Sequence, residues 1–231
     1  MNLPRTIVAC LGVWSAGAVG RAGEPGASAQ PPAPAPLVWA LTSPDWVGGV
    51  KSEVSGAPRL LTAAEGGPGL YFDGGHDGLW LPLNPLAGRA QFTIEILVRP
   101  EAGGPGEQRF FHVEDGQGNR ALLELRMLDP GAWCLDTFLR AGEAKRTLID
   151  RNRRHAAGRW TWVALVFDGH VMSHYVDGVR ELAGEVAFGP MGEGRTSLGV
   201  RQDRRAWFRG AIREIRIHPV AVSPEKLLRA E

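Results

Sequence analysis

The chain has 231 residues, with 26 basic and 25 acidic side chains and a formal net charge of +1. A balance this close to neutral gives no support to nucleic-acid or membrane-surface binding through bulk charge. Glycine (31 residues) and proline (17 residues) are abundant, and the apolar residues come in short runs separated by turn residues. This pattern predicts an all-β sandwich or barrel.

The N-terminal segment has the features of an export signal. Arg5 supplies a positive start, residues 6–19 are apolar or small without an acid, and residues 27–29 form an Ala-Ser-Ala cleavage pattern. We interpret residues 1–29 as a signal peptide, so the mature protein is expected to be secreted or periplasmic, with no stable membrane span. A membrane anchor or an ordinary core segment is the alternative. Residues 7–10 also have the form of a lipoprotein box, which leaves lipidation at Cys10 as a minor option.

A single domain is predicted after this segment. Residues 30–36, QPPAPAP, are expected to form an extended proline-rich linker. Residues 37–231 show no repeat and no second shift in composition, which fits one domain. Without residues 1–29 the chain has 24 basic and 24 acidic side chains. Cys134 is then the remaining cysteine, and its apolar surroundings indicate a small buried residue rather than a nucleophile.

The strand pattern is organised around a three-stranded meander that starts at Trp160. Its first strand is apolar on both faces and should therefore be covered on both sides. Asp-Gly pairs at residues 168–169 and 177–178 predict two-residue turns, a register that places Trp162 opposite Tyr175 and His174 opposite Glu181 as a surface ion pair. Other strands are predicted near residues 37–41, 70–72, 79–81, 92–99, 109–113, 121–128, 133–140, 146–149, 196–200 and 207–217. A Ser-Pro pair at residues 223–224 predicts a short C-terminal helix.

Four segments carry a family resemblance. In chain order they are LYFDG (70–74), FTIEILVRP (92–100), the Trp-to-Asp-Gly meander (160–178) and FRGAIREIRI (208–217). Together they resemble the entry, early, central and closing strands of the laminin-G-like, concanavalin A-like lectin and glucanase domains. The resemblance implies a two-sheet antiparallel jelly-roll sandwich, with recognition of glycans or proteins as the usual role. It does not specify an activity, because one fold hosts many functions.

A glycine-rich loop at residues 73–78 raises the question of calcium. It places Asp73, Asp77 and a histidine on a bent backbone, and calcium binds oxygen ligands of this kind. The resemblance implies a rim calcium in many relatives, although Arg213 stands where their closing strand has an aspartate. The alternative is that both aspartates bond their own backbone as turn residues.

The sequence offers no catalytic constellation. A jelly-roll glucanase needs two carboxylates that converge on a cleft, and its E-x-D-x-x-E strand pattern is absent here. The strand acids Glu95 and Glu124 each share a face with an arginine, Arg99 and Arg126 respectively, which favours ion pairs over a catalytic pair. We therefore expect a protein that is not an enzyme.

Two arginine-rich loops are the remaining candidates for a binding site. Arg153 and Arg154 precede the meander, and Arg204 and Arg205 precede the closing strand beside Trp207. Guanidinium groups pair with sulfate and carboxylate, and the indole could stack on a sugar. Solvated charges balanced by nearby acids, with Trp207 in the core, are the alternative reading. The hypothesis is an exported, non-catalytic module that binds extracellular carbohydrate through loops at one rim. A protein-interaction or surface-assembly module and a divergent glycoside hydrolase are the alternatives.

Overall fold

The computed structural model describes Met1 and residues 35–230. The predicted signal peptide, Cys10 and most of the predicted linker therefore lie outside the described residues. The chain divides into two units, residues 1–32 and residues 33–231, and every element below belongs to the second.

The second unit is built from short and medium strands. In chain order these are β1 (Leu37–Ala40), β2 (Trp46–Val47), β3 (Val50–Lys51), β4 (Glu53–Ser55), β5 (Arg59–Leu60), β6 (Leu70–Asp73), β7 (Gly78–Leu81), β8 (Phe92–Pro100), β9 (Glu107–Asp115), β10 (Arg120–Asp129), β11 (Ala132–Ala141), β12 (Ala144–Ile149), β13 (His155–Ala156), β14 (Thr161–Phe167), β15 (Val171–Val176), β16 (Val179–Glu185), β17 (Gly194–Leu198) and β18 (Arg209–His218). Two single 3-10 turns cover Ala63–Glu65 and Pro224–Lys226. The second turn stands where the C-terminal helix was predicted.

Two large antiparallel sheets face each other. The first has the order β16-β15-β14-β8-β18-β6-β5, with β1 also beside β18. The second has the order β12-β11-β10-β9-β17-β7-β4, with β13 also beside β11, and β2 and β3 form a separate hairpin. The predicted all-β jelly-roll sandwich is thus confirmed. The sequence pattern does not indicate β2 to β5 and β13, which are two or three residues long.

The core lies between the sheets and is rich in aromatic rings. Phe72, Phe110 and Phe208 pack together with ring centroids 5.7 to 6.2 Å apart, and Phe92, Phe167 and Phe188 form a second group at 5.5 to 5.9 Å. Such offset and edge-on contacts add to the stabilisation from burial. Cys134 is free and buried, as predicted.

The meander is covered on both faces, as its sequence predicted. Every residue of β14 is buried. Val163, Leu165 and Phe167 belong to the main core, while the opposite face of β14 packs against the C-terminal segment around Leu227. A hydrogen bond fixes that segment to the first sheet: the Leu228 backbone N–H donates to the side-chain Oε1 of Glu95 at 2.8 Å.

One predicted turn of the meander is right and the other is wrong. Val176 pairs with Val179, and Asp177 and Gly178 both have positive φ, as a two-residue turn requires. At the first turn Phe167 pairs with Met172, and three residues, 168–170, lie between β14 and β15. Asp168 Oδ1 accepts the N–H groups of His170 and Val171 and holds this longer loop. The register shifts by two, and Tyr175 lies opposite Ala164 rather than Trp162.

The predicted contact between His174 and Glu181 is present, but it is buried rather than on the surface and does not follow the predicted register. A β-bulge in β16 places Leu182 opposite His174, and both members of the predicted pair are turned into the seam between the sheets. His174 is 0% exposed, with Nδ1 3.0 Å from Thr137 Oγ1 of the second sheet. Glu181 Oε1 lies 2.9 Å from His155 Nε2, and Glu181 Oε2 lies 3.8 Å from His174 Nε2.

Candidate functional site

The outer face of the second sheet carries a concentration of charge. Along β10, Ala121, Leu123 and Leu125 point into the core, so the alternate residues point outward by the two-residue period of a strand. A cavity of about 180 Å³ lies on this face. It is lined by Arg109, Arg120, Leu122, Glu124, Arg126, Asp136, Phe138, Thr147 and Arg201. Four adjacent strands, β9 to β12, therefore contribute to one pocket.

At one end of the pocket is a carboxylate–arginine cluster, which we define as Glu107, Arg109, Glu124, Arg126 and Asp136. Glu124 and Asp136 are opposite residues on β10 and β11. Arg109 Nε lies 2.9 Å from Glu124 Oε2, and the guanidinium of Arg126 lies 2.6 Å from Asp136 Oδ2 and 3.5 Å from Glu124 Oε2. Glu107 forms ion pairs with both arginines. The ion pair predicted between Glu124 and Arg126 is thus present.

The environment of Glu124 favours its protonated form. It is 3% exposed, and burial, together with the neighbouring charge of Asp136, raises its pKa to about 7. Burial likewise raises the pKa of Asp136. Glu124 Oε2 and Asp136 Oδ1 are buried and accept no hydrogen bond, whereas Asp136 Oδ2 accepts one from Arg126 Nε at 2.8 Å. A buried carboxylate oxygen without a donor favours the neutral form of the acid.

The other end of the pocket is cationic. Arg120 and Arg140 are opposite residues on β10 and β11, and Arg140 is opposite Lys145 on β12. We call Arg120, Arg140 and Lys145 the basic row. The guanidinium of Arg120 lies 5.5 Å from the ring centre of Phe138. A second cavity of about 350 Å³, lined by the basic row, Phe138 and Thr147 among others, continues the first.

The basic row places like charges opposite one another on neighbouring strands. Like charges directly opposite on neighbouring strands repel. Burial is the main reason why the pKa of Arg120 is lowered; Glu114 acts against it, and the charges of Arg201 and Arg140 have smaller effects in the same direction as burial. The carboxylate of Glu114 is 3.7 Å from the Arg120 guanidinium. An anion bound between these cations would relieve the repulsion.

The loop of residues 201–206 borders this face. Gln202 N–H donates to His112 Nδ1, and Arg109 N–H donates to the Ala206 carbonyl, which fixes the loop against β9. Arg204 and Ala206 have φ of 60° and 52°. Such left-handed backbone is costly for residues with a side chain and persists where the surroundings impose it.

Three predicted binding residues are in or beside this loop. The Arg204 guanidinium stacks 4.3 Å from the Trp80 ring and lies 2.6 Å from Glu53 Oε1. Arg205 is paired with Asp203 at 2.5 Å. Trp207 is half-buried and meets Trp80 edge-on at 6.3 Å, so its indole is part of the local packing.

The other two predicted arginines form a separate group. Arg153 is 3.8 Å from Asp150, and Arg154 pairs with Asp129 at the turn between β10 and β11. Within residues 35–230, no ion pair or hydrogen bond joins this group to the loop of residues 201–206. All four predicted arginines thus have a carboxylate partner. Their role in ligand binding stays a prediction.

The ion pair predicted between Glu95 and Arg99 is wrong. Glu95 Oε2 lies 2.8 Å from His218 Nε2 across β8 and β18. Arg99 donates to the Glu65 carbonyl and lies against the Trp160 ring instead. Glu95 is 2% exposed, so it is a structural residue of the first sheet and is shielded from any external substrate.

The predicted calcium ligands are engaged by backbone donors. Asp73 Oδ1 accepts the N–H groups of Gly75, His76 and Asp77, and these bonds outweigh burial and lower the pKa of Asp73 to about 2. Asp77 accepts N–H groups from Ala57 and Asp73 with its two oxygens, while burial raises its pKa. Among the described residues no group of three acids, histidines or cysteines could hold a metal. Backbone donors thus occupy three of the four carboxylate oxygens of this pair, and calcium binding at this loop stays a prediction.

The comparisons with known proteins agree on the class of fold. Residues 73–227 match the family model of laminin G domains in the concanavalin A-like lectin/glucanases superfamily. Because the match spans most of the chain, the chain belongs to this family. No curated protein matches the sequence. In residues 35–230, no helix has the length and apolar character needed to cross a membrane.

Solved structures of the same fold include three with high coverage. Domain 4 of an extracellular arabinanase from Geobacillus stearothermophilus, in complex with arabinotriose, is 19% identical, with a TM-score of 0.54 over 84% of this chain and 97% of that chain. A pentraxin from Limulus polyphemus is 16% identical, with a TM-score of 0.55 over 68% and 77%. The CBM40 domain of a Ruminococcus gnavus sialidase, bound to sialyllactose, is 21% identical, with a TM-score of 0.52 over 69% and 94%. This fold is thus one that carbohydrate-binding domains adopt.

Proposed function

We propose that the protein is an exported, non-catalytic module that binds extracellular carbohydrate carrying carboxylate or sulfate groups, at the outer face of the second sheet. The basic row is the observation that carries this proposal. Three cations from adjacent strands line connected cavities and repel one another. Among the described residues Arg120 alone of the three has an ion-pair partner, Glu114, and Glu143 also lines the second cavity. An acidic glycan supplies the missing negative charge.

The shape and lining of the face support a sugar ligand. Phe138 lies at the junction of the two cavities and offers an apolar surface among polar groups. Sites for small organic ligands combine aromatic surface with a few fixed polar groups in this way. The arabinanase domain and the sialidase domain, whose structures contain arabinotriose and sialyllactose, share the fold. The loop of residues 201–206, with Arg204 and Arg205, borders the same face and could extend the contact.

Binding is favoured over hydrolysis by the state of the two pocket carboxylates. A glycosidase needs both carboxyl groups open to the substrate. Here Glu124 and Asp136 are 3% and 1% exposed and share the guanidinium of Arg126. A general acid needs a raised pKa, and Glu124 meets this requirement. Hydrolysis is therefore retained as the second candidate. Release of reducing ends that is lost in Glu124→Gln would establish it.

The test of the proposal is saturable binding of the purified protein to neutral and acidic oligosaccharides at two salt concentrations. The double variant Arg140→Gln/Lys145→Gln removes two cations of the basic row, and we expect roughly a tenfold loss of affinity or more, at about 1.4 kcal/mol per factor of ten. Higher salt should also weaken binding.

A matched variant distinguishes the face from the predicted rim site. Arg153→Gln/Arg154→Gln removes the same charge from the other arginine group and should leave affinity unchanged. If this variant loses binding and the basic-row variant retains it, the rim loop is the site. If no acidic glycan binds while a protein partner is captured with a defined affinity, the protein is an interaction module.

A further inference from the structure

The carboxylate–arginine cluster contains more acids than bases. Glu107, Glu124 and Asp136 face the two guanidinium groups of Arg109 and Arg126. The three acids come from β9, β10 and β11, so the cluster spans three strands. With all groups ionised the cluster has one negative charge in excess. Charge in a largely buried setting is screened poorly, which favours uptake of one proton.

The place of that proton is indicated by unsatisfied atoms. Glu124 Oε2 and Asp136 Oδ1 are both buried and accept no hydrogen bond. These oxygens belong to opposite residues on neighbouring strands. A buried acceptor without a donor is costly, and protonation of one carboxyl group removes that cost. The half-exposed acid Glu107 has water as an alternative partner, so Glu124 is the better proton site.

The same cavity joins the cluster to the cations. Glu124 and Asp136 line it together with Arg120 and Arg201. The other charged groups around the cluster are Arg205, which is near Glu107, and Asp203, which pairs with Arg201. An anion in the pocket is thus attracted by Arg120 and Arg201 and repelled by any excess negative charge on the cluster.

We propose that anion binding at this face is coupled to protonation of the Glu124–Asp136 carboxyl pair, so that the site binds acidic ligands more tightly at acidic than at alkaline pH. The inference rests on the proposed function, since it concerns the same pocket. A unit charge about 10 Å away in a partly screened site changes affinity by roughly tenfold. We therefore expect the Kd to rise by about that factor between pH 5.5 and pH 8.5.

Inorganic sulfate is a suitable probe, because its own charge is constant over this range. The Kd for sulfate would be measured at pH 5.5, 7.0 and 8.5 by isothermal titration calorimetry, together with the number of protons taken up on binding in buffers of different ionisation enthalpy. Wild type should show the roughly tenfold change and uptake of part of a proton near pH 7. Glu124→Gln mimics the protonated carboxyl group, so its Kd should be independent of pH and close to the acidic value of wild type.

A second variant guards against a folding defect in Glu124→Gln. Glu107→Gln changes a half-exposed residue and balances the cluster at two acids and two bases, so the midpoint of the pH dependence should shift to lower pH. Sulfate binding that is flat with pH in wild type, or that keeps its pH dependence in Glu124→Gln, would overturn the proton coupling. In that case the proposed function stands if acidic glycans bind. The expected sulfate profile without any glycan binding would leave the coupling intact and remove the proposed function.

Discussion

Protonation of His174 should be a main source of acid sensitivity in this fold. Burial lowers the pKa of His174 from 6.5 to about 4, because the imidazole lies between the sheets against Thr137, and nearby Glu181 only partly offsets this. In the unfolded chain the group takes up its proton near pH 6.5, whereas in the folded protein it does so only near pH 4. The free energy of unfolding therefore falls as the pH drops through this window. The difference in pKa corresponds to about 3 kcal/mol.

The variant His174→Gln tests this magnitude. Glutamine retains a polar group near Thr137 Oγ1 and does not titrate. Urea unfolding of both proteins at pH 7, 6, 5 and 4 gives the difference in unfolding free energy at each pH. We expect this difference to change by about 3 kcal/mol between pH 7 and pH 4, to the disadvantage of wild type at low pH.

An exposed histidine in the loop between β14 and β15 provides the control. His170 has a side chain that is 73% exposed, so His170→Gln should give a difference that stays constant within about 0.5 kcal/mol over the same range. If wild type and His174→Gln lose stability in parallel, the histidine is not held neutral by the fold and the reasoning fails.

Three further predictions concern other sites. Glu124→Gln should have the opposite pH effect: the pKa of Glu124 is raised to about 7, so wild type loses up to about 3 kcal/mol relative to the variant as the pH rises from 4.5 to 7. Equal pH profiles in urea unfolding would contradict this. Because backbone groups engage Asp73 and Asp77, the melting temperature should be the same in EDTA and in millimolar calcium, and a clear rise with calcium would restore the metal site. Gly199→Ala should cost about 3 kcal/mol, since φ is 76° and the new Cβ would lie 2.2 Å from Phe72 Cδ1. Gly103→Ala, with φ of 71° and no neighbour within 4 Å, should cost only about 1 kcal/mol, and equal costs by denaturant unfolding would refute the steric argument.

The fold could be predicted because its signals are local. The turn at residues 177–178 needs positive φ at two successive positions, and Asp-Gly supplies it. The turn at residues 168–169 has the same dipeptide, but the Asp168 carboxylate accepts two N–H groups and stabilises a three-residue loop. The Asp-Gly dipeptide therefore predicts that a turn is present. The hydrogen bonds of the Asp side chain determine the length of the turn and hence the register of the two strands.

The candidate site was harder to predict because it depends on register. Arg120, Glu124 and Arg126 alternate along β10, a pattern visible in the sequence. Asp136 was missed, because its position opposite Glu124 follows from the pairing of β10 with β11. The one available signal was an aspartate inside the apolar run of residues 132–139. Arg109 was missed for the same reason, since a β-bulge between Leu123 and Glu124 places it beside the acid.

The position of β18 has a consequence for how the protein is made. This last strand lies between β8 and β6 and also pairs with β1, so residues 209–218 complete the middle of the first sheet. During synthesis β6 and β8 lack this partner until more than a hundred further residues have been added. Contacts between such distant parts of a chain form slowly. The first sheet is therefore complete only after translation has passed its final strand, and until then β6 and β8 each have an unpaired edge of the kind that favours aggregation.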